Sequence, residues 1–282
     1  TDHAILMQRR EDYRRGQVPP GALLLTIGCD VQMRGIYYEV LAHAPDRQTW
    51  VVDADYLDGS TTDVDEGAWL ALTEVFTKDW PDAWGNRWRP DEFLVDSGYR
   101  THTVYEWTRR HPGTKAVKGE DGWNRPPLGT ATDVDVDYRG RKIKGGVKVR
   151  VVGTYDLKAK HYTYLTREAK FEGGVAQYPS GFCHFGTFLD ENYFKQLTSE
   201  YLADERYRGR LRKVWKERSG VGNHFLDCRV YNLAAAAAYM ASYTADDWAR
   251  QAKARGIPED LRTPDLFTPV AFTDAAPVPP AS

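Results

Sequence analysis

The sequence contains little sulfur and no long hydrophobic run. Its three cysteines, Cys29, Cys183 and Cys228, are an odd number without a C-x-x-C pair, so they support neither a disulfide framework nor a zinc cage. No apolar stretch reaches the roughly 18 residues that a membrane span requires. The polar N-terminal segment does not have the pattern of a secretory signal. These absences predict a soluble globular protein in a reducing compartment.

A strong net charge is also absent, because 38 Lys and Arg residues are nearly balanced by 40 Asp and Glu residues. The charges are nevertheless unevenly distributed along the chain. Segments 138–150 and 207–218 are basic, whereas segment 53–66 is acidic. The overall charge therefore neither requires nor excludes a nucleic-acid partner, and the basic segments leave such a partner open.

A phosphate-binding loop of the type G-x-x-x-x-G-K-[ST] is missing as well. The run LLLTIGCD (23–30) ends an apolar strand in an acid, as the Mg²⁺-binding strand of an ATPase does. Without a phosphate loop that interpretation fails. The sequence therefore predicts no ATP hydrolysis by this chain.

Hydrophobic residues make up 41% of the chain and aromatic residues 13%, enough for a substantial core. Three strand-like runs, 22–31, 35–44 and 48–57, are joined by short turns that force an antiparallel meander. The remaining predicted elements are a helix through Trp69, Leu72 and Phe76, a strand at 92–98, a helix at 101–113, a strand at 114–119, a hairpin that turns at Gly145 and Gly146, a helix at 190–205, a strand at 210–217 and a long helix after Asn223.

This order of elements resembles the α/β ribonuclease-H-like fold. That fold has a mixed five-stranded sheet with helices on both faces, and here an inserted β-hairpin region would precede the last helix. The segment DWPDAWGNRWRP (79–90) is rich in tryptophan, and packing of a loop against the core is a simpler interpretation than base stacking.

Three acids occupy special points of this predicted topology. Asp30 and Asp96 end the apolar strands LLLTIGCD and EFLVD, and Asp227 lies in the first turns of the last helix. If the two strands are parallel neighbours, their ends lie side by side, and a helix across the sheet adds the third carboxylate. Three such carboxylates repel one another unless positive charge lies between them.

Hard oxygen ligands without a nearby Cys or His cluster favour Mg²⁺ or Mn²⁺ over zinc. Two such ions about 3.5 to 4 Å apart support hydrolysis of a phosphodiester. Each acid alone has a simpler interpretation, since Asp30 and Asp96 suit turns or caps and Asp227 suits a helix N-terminus. Their combination at these points of one topology favours the catalytic interpretation.

Six segments carry a family resemblance: VPPGALLLTIGCDVQ, FLVDSGY, AVKGEDG, VVGTYDLKAKHYTYL, NYFKQLTSEYL and NHFLDCRVYNLAAA. Together, from about residue 17 to 243, they resemble the C-terminal nuclease domain of phage terminase large subunits, in particular the lambda-type A-protein family. In that family the domain follows an ATPase motor and cuts concatemeric viral DNA at the start and end of capsid packaging.

The resemblance implies roles for individual residues. Asp30, Asp96 and Asp227 would be the metal-binding catalytic triad, with two Mg²⁺ or Mn²⁺ ions. Lys158 of DLKAK would neutralise a phosphate or a carboxylate, unless it is an ordinary solvated lysine. His224 would touch the metal or the scissile phosphate, unless it is simply a polar residue of the first helical turn.

The resemblance also implies a domain layout and partners. Residues 1–20 would be a linker from a missing N-terminal ATPase motor, 21–245 the nuclease domain, and 246–282 a partly disordered C-terminal extension. The partners would be double-stranded DNA, the motor of the same polypeptide, the small terminase subunit and the portal or procapsid. The protein would act at the packaging machine in the cytoplasm of the bacterial host, without a membrane.

Basic residues would contact the DNA backbone independently of sequence. They are Arg141, Lys142, Lys144 and Lys148 on the predicted hairpin, and Arg212 and Lys213 on the strand before the last helix. For the first group, an ordinary solvated hairpin is the alternative.

Two other functions remain open from the sequence. One is another ribonuclease-H-like phosphotransferase, such as a junction resolvase or a transposase, which would prefer branched junctions or transposon ends. The other is a non-catalytic module that grips DNA or docks on the portal, for which Mn²⁺ would change neither thermal stability nor the integrity of a plasmid.

Overall fold

The computed structural model of the protein describes residues 2–138 and 140–262. The strands are β1 (Leu24–Gln32), β2 (Gly35–His43), β3 (Thr49–Asp58), β4 (Trp80–Pro81), β5 (Arg87–Trp88), β6 (Glu92–Asp96), β7 (Thr114–Glu120), β8 (Thr132–Tyr138), β9 (Arg141–Gly153), β10 (Lys170–Glu172), β11 (Val175–Gln177), β12 (Cys183–His184), β13 (Glu200–Tyr207) and β14 (Arg210–Glu217). The helices are α1 (His3–Gln8), α2 (Ala68–Thr77), α3 (Thr101–Arg110), α4 (Thr154–Leu165), α5 (Glu191–Leu197), α6 (His224–Ser242) and α7 (Ala245–Ala254), followed by a 3₁₀ turn at Glu259–Leu261.

The central sheet has eight strands in the order β12-β3-β2-β1-β6-β7-β9-β8. Strands β1, β2 and β3 form an antiparallel meander, whereas β1, β6, β7 and β9 are parallel neighbours. The five strands predicted from the sequence are contiguous in this order, as β3-β2-β1-β6-β7. The mixed α/β architecture is consistent with the predicted ribonuclease-H-like fold, and three further strands widen the sheet.

Helices cover both faces of the sheet, which explains why β1 is apolar almost throughout. Leu25, Ile27 and Cys29 point into one core, together with Trp69 of α2 and Trp107 of α3. The alternate residues of β1 point to the opposite face, where α6 lies.

The opposite face is closed by α4, α5 and α6. Leu94 of β6 and Val117 of β7 pack there against Leu226 and Val230 of α6. Because α6 crosses this face, residues near its N-terminus reach the edge of the sheet at which β1 and β6 end.

The tryptophan-rich segment packs into the fold as predicted. Trp80 and Trp88 face each other across the β4–β5 pair and are buried. The guanidinium of Arg255 lies 4.1 Å from the ring centre of Trp88 and so covers this ring.

Two local predictions are wrong. The helix predicted at 190–205 ends at Leu197, and the chain from Glu200 forms β13, because these residues pair with β14 in an antiparallel ladder. The β8–β9 hairpin turns between Tyr138 and Arg141, which pair with each other. Gly145 and Gly146 instead lie within β9 beside a shift in the register of the ladder.

The first and last described segments also pack against the sheet. Leu6 of α1 is buried in the core on the α5 side, and residues 11 and 186 form a backbone bridge. Ala252 of α7 and Ile257 are buried on the other side. Of the extension 246–282, for which partial disorder was predicted, residues 263–282 lie outside the described residues, and the predicted domain boundaries stay a prediction. No helix of the described chain is long and apolar enough to cross a membrane.

Candidate active site

The strands β1 and β6 bring two of the predicted acids to one edge of the sheet. Their parallel register pairs Thr26 with Glu92 and Cys29 with Val95, so that Asp30 and Asp96 follow side by side. Asp30 is only 2% exposed. A carboxylate this deeply buried needs compensating partners, because its charge is costly to remove from water.

Helix α6 runs along β1 in a defined register. The hydroxyl of Thr26 donates to Oδ1 of Asn232 at 2.7 Å. Two residues further, Gly28 has no side chain to hold α6 away: a Cβ atom here would lie 2.3 Å from the carbonyl oxygen of Cys228. At the end of the strand, Asp30 meets His224. This register carries Asp227 to the two strand ends.

Asp30 is held by two side chains. The amide of Gln32 donates to both of its carboxylate oxygens, at 3.1 and 2.9 Å, and Nδ1 of His224 lies 2.8 Å from Oδ2. The His224 ring is stacked on Tyr37 with ring centres 4.5 Å apart. His224 therefore lies in the first helical turn and contacts the carboxylate of Asp30 directly.

Asp96 is close enough to Asp30 to be affected by its negative charge. Its Oδ1 accepts a hydrogen bond from the backbone N–H of Gly98 at 3.0 Å. Burial, and then the negative charge of Asp30, raise the pKa of Asp96 to about 6. Burial and the neighbouring charge of Asp96 also raise the pKa of Tyr231 well above its ordinary value.

Asp227 belongs to the same group. Burial raises the pKa of Asp227 well above its usual range, and the charge of Asp30 raises it further. The ammonium group of Lys158 acts in the opposite direction, whereas Glu200 and Asp96 add to the repulsion. The three predicted acids therefore interact as one cluster, with a fourth carboxylate beside them.

Lys158 is not a solvated surface lysine, because it is only 9% exposed. Its Nζ donates to both oxygens of Glu200 at 2.8 Å, and the Asn223 amide donates to Oε1 of Glu200 at 2.9 Å. Glu200 was not among the predicted site residues, because the predicted helix included it. The alternation of SEYLADERY opposite RLRKVWKE is the signal that could have placed Glu200 at the start of a strand.

The donor set fits a hard divalent cation in chemical type, since it consists of one buried and two partly buried carboxylates that repel one another. Their side chains are not gathered around one point, however. Within residues 2–138 and 140–262, no three His, Cys, Asp or Glu side chains are arranged so that they could hold a metal ion. The three carboxylates therefore interact electrostatically, but their side chains do not together form a set of metal ligands.

Comparison with known families shows which family the chain belongs to. Residues 1–248 match the family model described as terminase large subunit gpA, endonuclease domain. The chain belongs to this family. Searches of curated proteins and of solved structures give no match. The resemblance inferred from the motifs is thus confirmed, and the gpA endonuclease domain has a nuclease role in phage DNA packaging, with DNA and the packaging machinery as its general partners.

The basic residues predicted to contact DNA lie on two hairpins of this gpA endonuclease domain. On the first hairpin, Arg141 and Lys144 are exposed, while Lys142 pairs with Asp135 at 3.1 Å and Lys148 with an acid of the same hairpin. On the second, Lys213 pairs with Asp204 at 2.9 Å and Arg212 with Glu205. Much of this positive charge is therefore compensated within the hairpins. Contact of these residues with DNA stays a prediction.

Proposed function

We propose that the chain is a metal-dependent endonuclease that cuts double-stranded viral DNA concatemers during genome packaging. Asp30, Asp96 and Asp227 would hold two Mg²⁺ or Mn²⁺ ions. The observation that carries this proposal is the parallel register that ends β1 and β6 at Asp30 and Asp96, with Asp227 on the helix whose first residue, His224, contacts Asp30. Divalent cations bound between these carboxylates would supply the positive charge that offsets their mutual repulsion.

The bound cations would neutralise the carboxylates, activate a water molecule and stabilise the leaving oxygen of the phosphodiester. The protein groups have separate tasks. Gln32 and His224 fix the orientation of the Asp30 carboxylate. Lys158 offsets the excess negative charge near Asp227. Because the ligand atoms do not already converge on one point, we expect the carboxylate side chains to rotate when metal binds.

The substrate would approach the edge of the sheet at which β1 and β6 end. Exposed cations of the two basic hairpins would hold the DNA backbone without regard to sequence, so binding would weaken as salt increases. The protein would act with the ATPase motor of its polypeptide, the small terminase subunit and the portal, in the host cytoplasm. We expect this chain itself to hydrolyse no ATP, since it has no phosphate loop.

Cleavage of supercoiled plasmid tests this proposal. The purified chain is incubated with plasmid in Mn²⁺, Mg²⁺ or EDTA, beside the Asp30→Asn variant and a matched control, Asp58→Asn. Asp58 ends β3, which runs in the same direction as β1 because both strands pair antiparallel with β2. Unlike Asp30, Asp58 is exposed. We expect nicking and linearisation in metal with the wild type and with Asp58→Asn.

We expect no cleavage by the wild type in EDTA. We also expect none by Asp30→Asn in metal, provided that circular dichroism shows that this variant is folded. Cleavage by a folded Asp30→Asn protein at the wild-type rate would remove this carboxylate from the mechanism. Preferential cleavage of branched junctions over plasmid would favour a resolvase instead. Intact plasmid together with unchanged melting in Mn²⁺ would favour a docking module.

A further inference from the structure

A row of four aromatic side chains lies beside the carboxylate cluster, and neither the catalytic proposal nor the core accounts for its exposed end. We call Trp123, Tyr155, Trp215 and Tyr162 the aromatic strip. The ring centres of Trp123 and Tyr155 are 6.0 Å apart, those of Tyr155 and Trp215 are 6.3 Å apart, and those of Trp215 and Tyr162 are 5.1 Å apart. The last two rings are almost parallel, at 14°. The strip is therefore continuous across a loop, α4 and β14.

The strip changes from partly buried to open along its length. Tyr155, Tyr162 and Trp215 are partly exposed, and the indole N–H of Trp215 donates to the carbonyl of Tyr155 at 3.2 Å. Trp123 is 72% exposed. An indole ring that remains this exposed contributes little to the core. Its position beside the candidate active site favours a role in binding a ligand with a flat apolar face.

Both ends of the strip are connected to the candidate active site. At one end, the Tyr162 hydroxyl accepts a hydrogen bond from the backbone N–H of Glu200 at 3.0 Å. Glu200 in turn binds Lys158, which interacts electrostatically with Asp227. The strip is thus joined on this side to Asp227 through two hydrogen bonds and one electrostatic interaction.

The other end follows β7, the neighbour of β6 in the sheet. The Thr154 hydroxyl donates to the carbonyl of Glu120 at 3.3 Å, which ties the start of α4 to the end of β7. A Cβ atom at Gly119 would lie 3.3 Å from the hydroxyl of Tyr231, the residue that interacts with Asp96. Trp123 therefore projects from a loop that begins next to the second strand acid.

Cations accompany the rings. Lys213 lies close enough to Tyr155 to interact with it electrostatically, although it also pairs with Asp204 at 2.9 Å. Arg218 has a similar relationship to Tyr162 and lies 5.2 Å from the ring centre of Tyr201. Aromatic rings with cations near them suit a ligand that offers flat apolar faces on a negatively charged backbone.

We propose that the aromatic strip binds an unpaired segment of DNA beside the cleavage site, with Trp123 as its outermost stacking residue. Bases in a duplex are stacked on one another and offer only their edges, whereas unpaired bases offer their faces to aromatic rings. Stacking of this kind is tolerant of sequence. This inference rests on the proposed nuclease function, since the same site would hold the phosphodiester backbone.

Fluorescence anisotropy in EDTA tests the inference without cleavage. The probe is a labelled oligothymidylate of about 12 nucleotides, compared with a duplex of the same length. We expect Trp123→Ala to weaken binding of the single strand about fivefold or more and to leave duplex binding unchanged. Trp123→Phe should retain most of the affinity, because phenylalanine keeps a stacking face.

Phe171→Ala is the matched control, because Phe171 is an equally exposed aromatic residue, at 75%, on the separate β10–β11 pair. This variant should bind like the wild type. Equal affinities of Trp123→Ala and the wild type for the single strand would overturn the inference, as would an equal loss of duplex binding or no single-strand binding by the wild type. Plasmid cleavage and its loss in Asp30→Asn are measured separately, so failure of the strip to bind a single strand leaves the proposed nuclease function standing.

Discussion

The backbone of Gly28 in β1 lies directly against the carbonyl group of Cys228 in α6. A Cβ atom at position 28 would be 2.3 Å from that carbonyl oxygen and 3.2 Å from Cβ of Tyr231. This close approach sets the distance between the strand that carries Asp30 and the helix that carries Asp227. The spacing of the acid cluster therefore depends on a glycine that bears no functional group.

Gly28→Ala should displace α6 and separate the acids. The added methyl group meets backbone and cannot be accommodated by a side-chain rotation, so we expect the free energy of unfolding to fall by about 3 kcal/mol and plasmid cleavage to fall sharply. Gly98→Ala is the control for stability, because its Cβ would lie 3.4 Å from the Asp96 carboxylate, an ordinary contact. Urea denaturation of both variants gives the comparison, and equal stability of Gly28→Ala and the wild type would contradict the observed packing.

Asp96→Asn should stabilise the metal-free protein at neutral pH. The pKa of Asp96 is raised to about 6 in the folded state, whereas an unfolded chain has an Asp pKa of about 3.9. The folded protein therefore binds more protons between these values, and the free energy of unfolding falls as pH rises through this window. Above pH 6, removal of the Asp96 charge should therefore raise the free energy of unfolding by up to about 3 kcal/mol, less the part that solvent screens.

Thermal melts in EDTA from about pH 4 to about pH 8 measure this effect. The difference between Asp96→Asn and the wild type should be greatest at the upper end and vanish near pH 4. The exposed Asp58→Asn variant should show no such trend. An Asp96→Asn protein that is less stable than the wild type at neutral pH would show that repulsion in the cluster is not the dominant effect.

A buried ionic network should hold α6 in register and add little net stability. The guanidinium of Arg229 donates to the Glu39 carboxylate at 2.7 and 3.0 Å and to the Tyr193 hydroxyl at 3.0 Å. Arg229→Met alone leaves the Glu39 charge buried without a partner and should cost about 3 to 5 kcal/mol. The triple replacement Glu39→Leu, Tyr193→Phe and Arg229→Met should recover most of that loss.

Cleavage by the triple variant distinguishes positioning from stability. Arg229 lies two residues from Asp227, so loss of the directional bonds should reduce the cleavage rate about 10- to 100-fold even in a stable protein. Denaturation and single-turnover cleavage are measured on the same preparation. Wild-type cleavage by a stable triple variant would show that apolar packing alone is enough to position the helix.

The Lys158–Glu200 pair should behave as a unit. Lys158→Met leaves Glu200 buried and increases the repulsion at Asp227, so we expect a loss of about 3 to 5 kcal/mol in the free energy of unfolding. Lys158→Met combined with Glu200→Leu should be more stable than Lys158→Met alone. A double-mutant cycle by urea denaturation measures the coupling, and additive effects of the two changes would contradict a direct interaction.

The strand acids were predictable because local pattern and topology agree at β1 and β6. An apolar run that ends in Asp30 or Asp96 favours a strand, and parallel pairing then brings the ends together. Glu200 was not predictable in the same way. Local sequence permits the helix that starts at Glu191 to continue, and only pairing with β14 converts residues 200–207 into a strand.

The environment of Lys158 could not be predicted either, because its burial depends on that same strand. The hairpin turn was misplaced for a related reason. Gly145 and Gly146 carry a turn signal, but the ladder places the turn between Tyr138 and Arg141, and the two glycines lie where the register shifts. Local signals therefore predicted the strand ends at which Asp30 and Asp96 lie, whereas the neighbours of these acids depend on contacts between segments distant in sequence.

Binding of divalent metal by the three carboxylates is the central expectation, and calorimetric titration of Mn²⁺ into the metal-free chain tests it most directly. We predict binding of about two ions per chain by the wild type and by Asp58→Asn, and a loss of this binding in Asp30→Asn. Absence of Mn²⁺ binding by the wild type, or undiminished binding by a folded Asp30→Asn protein, would contradict it.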